Sequence, residues 1–233
     1  MSSTIYLIPS VVDEMAINTI PLYIIDAVKN CRVIFAENER TARRFLKSIC
    51  KEIVIDDFEW FTIHKAEEEQ KNNFRQKIKE NKNIAIISEA GCPGIADPGQ
   101  ILIEVAQQMN VTVKPLVGPS SILLALMASG MNGQQFEFVG YLPIDNGERI
   151  KTIKELETTS QKKRSTIIFI ETPYRNNQLI ESLLRTCKPT TKICIAAELT
   201  GSNEFVKTKT VSEWKNEKTD FHKKPVIFLL GCF

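Results

Sequence analysis

Two acidic residues in a glycine- and proline-rich loop are the first candidates for chemistry in this sequence. The loop Ser88–Gly99 reads S-E-A-G-C-P-G-I-A-D-P-G and contains Glu89 and Asp97. Its glycines and prolines disfavour a continuous helix or strand. The preceding run Ile84–Ile87 predicts a buried strand, and Ile101–Met109 predicts a helix. A loop at the carboxyl end of a strand in an open α/β sheet commonly binds a ligand, although a surface connection that only turns the chain would have the same composition.

Other predicted strands also end in polar or conformationally special residues. These strand ends carry Glu37, Gly118–Ser121, Glu171–Arg175 and Glu198–Thr200. If the strands share one direction, these loops meet along one edge and form a cleft. Glu37 and Glu89 are the candidates for a general base, because each follows a strand that faces the predicted cleft.

Either acid could instead be structural and pair with a nearby arginine. The basic segment that follows Glu37 contains Arg40, Arg43 and Arg44. These arginines could bind phosphate groups, or they could form an ordinary solvated helix face. The residue types leave both alternatives open.

Composition and motif searches exclude several other kinds of site. The six cysteines contain no C-x-x-C pair and the two histidines, His64 and His222, are far apart, so neither a metal site nor a Ser–His nucleophile is expected. The phosphate-loop and dinucleotide fingerprints are also absent. The net charge of +2 predicts no particular partner. With no secretory pattern at Met1–Ile5 and no long apolar run, we expect a cytoplasmic protein without a membrane segment.

Apolar patterning predicts alternating strands and helices along the first half of the chain. The predicted strands there are Thr4–Ile8, Arg32–Ala36, Glu52–Ile55, Ile84–Ser88 and Val111–Val117, and the predicted helices are Asn18–Lys29, Thr41–Cys50, Ala66–Glu80 and Ile101–Met109. This alternation favours a mostly parallel sheet covered by helices.

The second half contains several strands without long helices between them, which favours a mixed sheet. Its predicted strands are Phe136–Val139, Thr166–Ile170, Lys192–Ala197 and Val226–Leu230, and its predicted helices run to about Ser129, over Glu148–Leu156 and to about Cys187. We therefore predict two α/β domains, residues 1–115 and 116–233.

Six motifs in the same order resemble one family. Ser88–Gly99 resembles the S-D-A-G-x-P-x-x-x-D-P-G stretch of the ribosomal RNA branch of the tetrapyrrole methylase superfamily, the small-subunit ribosomal RNA methyltransferase I family. The other five stretches that resemble its motifs are Glu37–Leu46, Gly118–Gly130, Phe138–Pro143, Glu171–Arg175 and Ala197–Thr200. The resemblance covers nearly the whole chain.

The resemblance implies an enzyme that methylates a ribose 2′-hydroxyl of small-subunit ribosomal RNA with S-adenosylmethionine. It also implies a homodimer, and a cofactor cleft between the two α/β domains, with the first domain on the substrate side. Carried over by position, the implied cofactor-binding residues are Ser88, Glu89, Ala90, Gly91, Gly94, Ser120, Ser121, Glu171, Thr172, Leu199 and Thr200. Arg40, Arg43 and Arg44 are the expected RNA-binding residues.

The sequence departs from the family pattern after the first strand. Members usually read T-P-I-G-N-L there, whereas this chain reads Ile8-Pro9-Ser10-Val11-Val12-Asp13. A β-branched residue in place of glycine changes the available backbone path. This departure bears on the acceptor more than on the methyl donor. C-methylation of a tetrapyrrole or another small molecule, and a non-catalytic protein that binds the cofactor or RNA, remain the alternatives.

Overall fold

The structure is a computed structural model that describes residues 3–63 and 67–232. The chain forms two compact units, Met1–Ser120 and Ser121–Phe233. The sequence predicted a boundary after residue 115. The segment between the two positions stays with the first unit, because the Leu116 amide donates to the Leu7 carbonyl at 3.2 Å and the Val117 amide donates to the Tyr23 hydroxyl oxygen at 2.7 Å.

The first unit is a parallel sheet covered by helices. Its strands are β1 Thr4–Ile8, β2 Val33–Ala36, β3 Glu59–Thr62, β4 Ile84–Ile87 and β5 Thr112–Pro115. Its helices are α1 Tyr23–Lys29, α2 Glu39–Ile49, α3 Glu67–Lys79 and α4 Gln100–Gln108. All strands in the order β3-β2-β4-β1-β5 pair in parallel. The predicted parallel sheet is confirmed.

Both faces of this sheet are covered, so its central strands are apolar throughout. Every residue of β2 and β4 is buried. Alternate residues face opposite sides: Ile34 and Ala85 pack with α1 and α2, whereas Phe35 and Ile86 pack with α3 and α4. Helices on both faces leave the carboxyl edge of the sheet to the loops.

The second unit is built on a mixed sheet, as predicted. Its strands are β6 Phe136–Tyr141, β7 Thr166–Ile170, β8 Lys192–Ala197, β9 Phe205–Thr210 and β10 Val226–Gly231, in the order β6-β7-β10-β8-β9. Its helices are α5 Ser121–Ser129, α6 Asn146–Lys163, α7 Asn176–Thr186 and α8 Val211–Trp214. β6 and β7 are parallel, and the other pairs are antiparallel.

Two predicted elements of the first unit were wrong in position. A strand was predicted at Glu52–Ile55, but Ile55–Asp57 is a 3₁₀ turn, and the strand β3 follows it. The aromatic residues of β3 fit the sheet, where Phe61 stacks on Phe35 with ring centroids 4.7 Å apart. The helix predicted from Asn18 begins at Tyr23, since Pro21 forces Ile20 into extended backbone at φ −94°, ψ 119°.

The second unit differs from the prediction in three elements: α6, β9 and the short helix α8, which was not predicted. Helix α6 is longer than Glu148–Leu156, because it continues through polar residues that are buried by tertiary contacts. Glu157, for example, accepts the Lys188 amide at 2.8 Å. Strand β9 was missed, since Lys207 and Lys209 interrupt its apolar pattern, as is common on an edge strand. The predicted helix start Ala66 and His64 lie outside the described residues.

Candidate active site

The loops after β1 and β4 lie side by side at the centre of the first sheet. From β1 the chain crosses to β2 on one side, and from β4 it crosses to β5 on the other. This reversal creates a crevice at the carboxyl ends of the two strands, which is where open α/β sheets bind ligands. The predicted loop Ser88–Gly99 begins at this point.

Ser10 and Gly91 join the two loops by an antiparallel bridge. The Ser10 amide donates to the Gly91 carbonyl at 2.8 Å, and the Gly91 amide donates to the Ser10 carbonyl at 3.2 Å. The Ser10 hydroxyl also donates to the Ser88 carbonyl at 2.9 Å. Gly91 has φ +72°, a conformation that favours glycine. The bridge fixes the backbone of Ser88–Gly91, where the family resemblance places the cofactor.

Asp97 organises the second half of the same loop. Its Oδ1 accepts the amide of Gly94 at 2.9 Å and the amide of Gly99 at 2.7 Å. Gly94 has φ +81°, and a Cβ there would lie 2.6 Å from Cδ1 of Ile103. The carboxylate therefore holds a turn that only glycine fits, and Asp97 has a structural role.

A third loop joins these two within the first unit. A Cβ on Gly118 would lie 2.2 Å from the Cβ of Pro9, so Gly118 is required by this close approach. The Cys92 thiol lies 3.5 Å from the Pro119 carbonyl oxygen, and burial raises the pKa of this thiol. Cys92 is therefore a neutral packing group at neutral pH.

Glu37 and Glu89, the two candidate bases, are brought together and have different surroundings. Oε2 of Glu37 accepts the backbone amide of Glu89 at 3.0 Å. The Glu89 side chain is exposed, and its Oε1 accepts the Thr41 hydroxyl at 3.1 Å. Thr41 lies in the first turn of α2, whose N-terminus is capped by Asn38. Glu37 thus supports the loop, while Glu89 presents an oriented carboxylate.

A cavity of about 380 Å³ opens beside Glu89. Its polar lining comes from the loops after β1 and β4 and from α2: Ser10, Glu14, Thr41, Arg44, Ser48, Ser88 and Glu89. Ala90, another predicted cofactor contact, also lines it. The cavity combines a carboxylate acceptor, hydroxyl groups and a guanidinium in one place.

The three predicted RNA-binding arginines point to different surroundings. Arg44 lines the cavity, with its Nη2 3.8 Å from Oε1 of Glu14. Arg43 instead pairs with Glu39 at 2.6 Å and lies 5.0 Å from the ring centroid of Trp60. Arg40 is exposed. Only Arg44 of the three lines the cavity.

In the second unit, the predicted residues lie at the carboxyl ends of β7 and β8. β10 pairs antiparallel with both strands, so these two ends share one edge. Glu171 is buried, and its Oε1 accepts the Thr172 amide at 2.6 Å and Nη2 of Arg175 at 2.6 Å. Its carboxylate is therefore used to hold the loop.

The segment Glu198–Thr200 has unusual backbone and an unpaired polar atom. Glu198 and Thr200 have φ +50° and +67°, and non-glycine residues held there often mark functional sites. Leu199 between them is buried. The Thr200 hydroxyl oxygen is buried and has no hydrogen-bond partner among the described residues. A buried hydroxyl without a partner is available to a ligand.

The last two predicted cofactor residues flank the boundary between the units. Ser120 ends the first unit and Ser121 begins α5. Within the described residues, no group of three or more His, Cys, Asp or Glu side chains is placed to hold a metal ion. Nor is any described helix long and apolar enough to cross a membrane.

Sequence reasoning did not single out Ser10, Glu14 or Thr41. Thr41 was inside the motif Glu37–Leu46, and its position four residues after Glu37 was the available signal. Ser10 lies in the segment Ile8–Asp13, where the chain departs from the family pattern, and Glu14 directly follows it, so no motif pointed to them.

Comparisons with known proteins point in one direction. Residues 18–215 match the family model of the tetrapyrrole (corrin/porphyrin) methylases. The chain is 28% identical to ribosomal RNA small subunit methyltransferase I of Buchnera aphidicola subsp. Schizaphis graminum (strain Sg), over 97% of this chain and 77% of that protein. It is 31% identical to the protein of the same name from Bacillus subtilis (strain 168), over 91% of this chain and 70% of that protein.

Solved structures share the fold. Diphthine synthase superposes with a TM-score of 0.70 at 13% identity, covering 99% of this chain and 90% of that chain. Uroporphyrin-III C-methyl transferase from Thermus thermophilus, complexed with S-adenyl homocysteine, superposes with a TM-score of 0.58 at 15% identity, covering 98% and 97%. At these identities the likeness shows the fold alone.

The role of Asp97 can be tested by its stability effect. Asp97→Ala removes the acceptor of two amides, and we expect the free energy of unfolding to fall by about 2–3 kcal/mol. Asp97→Asn, which keeps one side-chain oxygen, should lose less. Urea unfolding measures the change. The exposed Asp57→Ala serves as the control and should stay within about 0.5 kcal/mol of the wild type. A wild-type stability for Asp97→Ala would contradict this role.

Proposed function

The chain belongs to the tetrapyrrole methylase family, and on that premise we propose that it methylates a ribose 2′-hydroxyl of small-subunit ribosomal RNA. It is an S-adenosylmethionine-dependent methyltransferase. The observation that carries the choice of acceptor is the 31% identity, over 91% of the chain, to a protein named ribosomal RNA small subunit methyltransferase I.

The residues present fit S-adenosylmethionine. The buried, unpartnered Thr200 hydroxyl offers a hydrogen bond to the adenosine part, and the loop at Gly91 and Gly94 lets backbone amides and carbonyls approach a ligand closely. The bound cofactor supplies a methyl group on a positively charged sulfur. We propose that the predicted residues contribute to holding it, with Glu171 acting through the backbone that its carboxylate positions.

Glu89 is the proposed general base. The cofactor would supply its methyl group to the ribose oxygen, and the hydroxyl proton must then pass to an acceptor. The exposed Glu89 carboxylate accepts that proton, while the Thr41 hydroxyl fixes its orientation. Such a base contributes about 10²–10⁴-fold to the rate. Glu37 is a positioning residue, because its carboxylate accepts a hydrogen bond from the Glu89 backbone amide.

The cavity beside Glu89 is the proposed site of the acceptor nucleotide. Arg44 on its lining would bind a phosphate, for which its planar group is well suited. Glu14 is 3.8 Å away, and an exposed ion pair of this kind contributes only about 0–1 kcal/mol. A phosphate can therefore replace Glu14 at small cost. Arg43 is already engaged by Glu39, so it contributes to α2 rather than to RNA.

The rival enzyme would methylate carbon on a tetrapyrrole. The fold shared with uroporphyrin-III C-methyl transferase favours it, as does the altered segment Ile8–Asp13. A carbon acceptor would have no ribose proton to remove. The two candidates therefore differ in whether Glu89 accepts a proton from a hydroxyl group.

We also propose a cytoplasmic homodimer. All six cysteines are free, as is usual in a reducing compartment, and ribosomal RNA is found there. Helix α5 is apolar on most sides, yet Leu123 and Met127 on it are exposed. A second copy of the chain could cover such residues.

Cofactor and acceptor can be tested separately. Calorimetric titration with S-adenosylmethionine and S-adenosylhomocysteine should show binding. Small ribosomal particles from cells that lack this protein should then accept a labelled methyl group at a position that becomes resistant to alkaline cleavage, because alkali requires a free 2′-hydroxyl. Labelling of a tetrapyrrole instead, with unlabelled RNA, would overturn the acceptor but keep the donor. Absence of cofactor binding would overturn both.

The base assignment predicts a graded set of variants. Glu89→Gln should lower kcat about 10²–10⁴-fold, whereas the affinity for RNA changes far less. Thr41→Val should lower kcat by a smaller factor, and Thr41→Ser should restore it because the hydroxyl is kept. Glu37→Gln retains an oxygen for the Glu89 amide and should be milder than Glu89→Gln.

Steady-state methyl transfer at saturating cofactor and RNA measures kcat for each variant. Glu104→Gln, an exposed acid on α4, is the matched control and should have the wild-type rate. Wild-type kcat in Glu89→Gln would rule out a proton acceptor at this position.

A further inference from the structure

Tyr174 is an exposed aromatic residue in the second unit. It follows β7 in the segment Glu171–Arg175, and 70% of its surface is accessible. Most of the Tyr174 ring is therefore outside the core of the unit and accessible to a ligand.

The backbone that carries Tyr174 is held firmly. On one side the buried Glu171 carboxylate pairs with Arg175 at 2.6 Å. On the other side the Pro173 carbonyl accepts the amide of Lys223 at 2.9 Å. The ring is therefore presented by a fixed scaffold, which lowers the entropy lost when a ligand binds.

Two neighbouring side chains complete a small surface around the ring. His222 packs edge-on to Tyr174, with centroids 5.8 Å apart and planes at 74°. The Lys223 ammonium lies 5.9 Å from the Tyr174 ring centroid, whereas Lys224 pairs with Glu198 at 2.6 Å. Asp220, the acidic residue near His222, accepts hydrogen bonds from the Asn177 side-chain amide at 2.8 Å and from the His222 backbone amide at 2.9 Å.

We propose that Tyr174, His222 and Lys223 form a stacking surface for an unpaired base of single-stranded RNA. An exposed aromatic face beside a lysine is how proteins bind single strands, since the base stacks and its phosphate meets the cation. A fully paired helix keeps its bases stacked on one another and offers no base to Tyr174. The inference rests on the proposed RNA substrate, and it adds an RNA contact in the second unit.

Binding of a fluorescent single-stranded RNA of about 12 nucleotides, a length within the usual site sizes, tests the stacking surface. Tyr174→Ala should weaken binding by about 5- to 150-fold, the equivalent of about 1–3 kcal/mol per stacked base. Tyr174→Leu should be nearly as weak, because it keeps apolar area but has no π face, and Tyr174→Phe should retain affinity. Lys223→Gln should reduce the slope of log affinity against log salt by about one.

The matched control is Phe136→Ala, an exposed aromatic at the opposite end of the same sheet, where β6 begins. It should bind RNA as the wild type does. A duplex RNA of the same length should bind equally to the wild type and to Tyr174→Ala. Each variant is also titrated with S-adenosylhomocysteine and unfolded thermally. A variant that has lost RNA affinity through a local change should keep the wild-type cofactor affinity and unfolding temperature, whereas a misfolded variant should not.

The outcomes distinguish the stacking surface from the proposed function. Wild-type RNA affinity in Tyr174→Ala would overturn the stacking surface and leave the methyltransferase assignment standing. If Tyr174→Ala loses affinity for S-adenosylhomocysteine while its RNA affinity is unchanged, Tyr174 belongs to the cofactor site. That result would also overturn the stacking surface. A wild-type protein that binds neither the single strand nor small ribosomal particles would overturn both the stacking surface and the RNA acceptor.

Discussion

The antiparallel bridge between Ser10 and Gly91 is the interaction on which the candidate site depends. In a parallel sheet, the loops after neighbouring strands are not joined by the strands' own hydrogen bonds. Here two backbone bonds, with the Ser10 hydroxyl bond to Ser88, join the loop after β1 to the loop after β4. The bridge sets where the Glu89 backbone lies, and the Glu37 carboxylate then accepts the Glu89 amide.

The carboxylates of the two units have different roles, which depend on the hydrogen-bond donors that their oxygens contact. Asp97 accepts two amides of its own loop, Glu171 accepts an amide and a guanidinium, and Glu37 accepts a neighbouring loop's amide. Glu89 is exposed on the cavity and meets a hydroxyl. A carboxylate occupied by backbone amides stabilises a loop. One that faces a cavity is placed to accept a proton, and this is the physical basis for separating the two candidate bases.

Much of the fold could be predicted because central parallel strands are apolar on both faces. Short apolar runs predicted β2 and β4. Strand β9 was missed because the lysines of an edge strand interrupt its apolar pattern, and β3 was misplaced because an apolar segment lies just before it. Motif order indicated the segments of the site, but not the role of each residue. Arg43 and Arg44 are adjacent on α2, and their different surroundings depend on tertiary structure. Arg43 contacts Trp60 and Glu39, whereas Arg44 lines the cavity.

The segment Ile8–Asp13 departs from the family motif and contains Ser10, one end of the bridge between the two loops. Where the family pattern has glycine, this chain has Val11, and Val11 is not among the residues with positive φ, so the path here requires no glycine. Ser10 contributes mainly through its backbone, which any residue except proline could supply. Its hydroxyl adds one further bond to Ser88. The side chains of Val11, Val12 and Glu14 are then turned toward the cavity lining. The segment therefore places Val11, Val12 and Glu14 on the cavity lining and carries one end of the bridge that positions the Glu89 backbone.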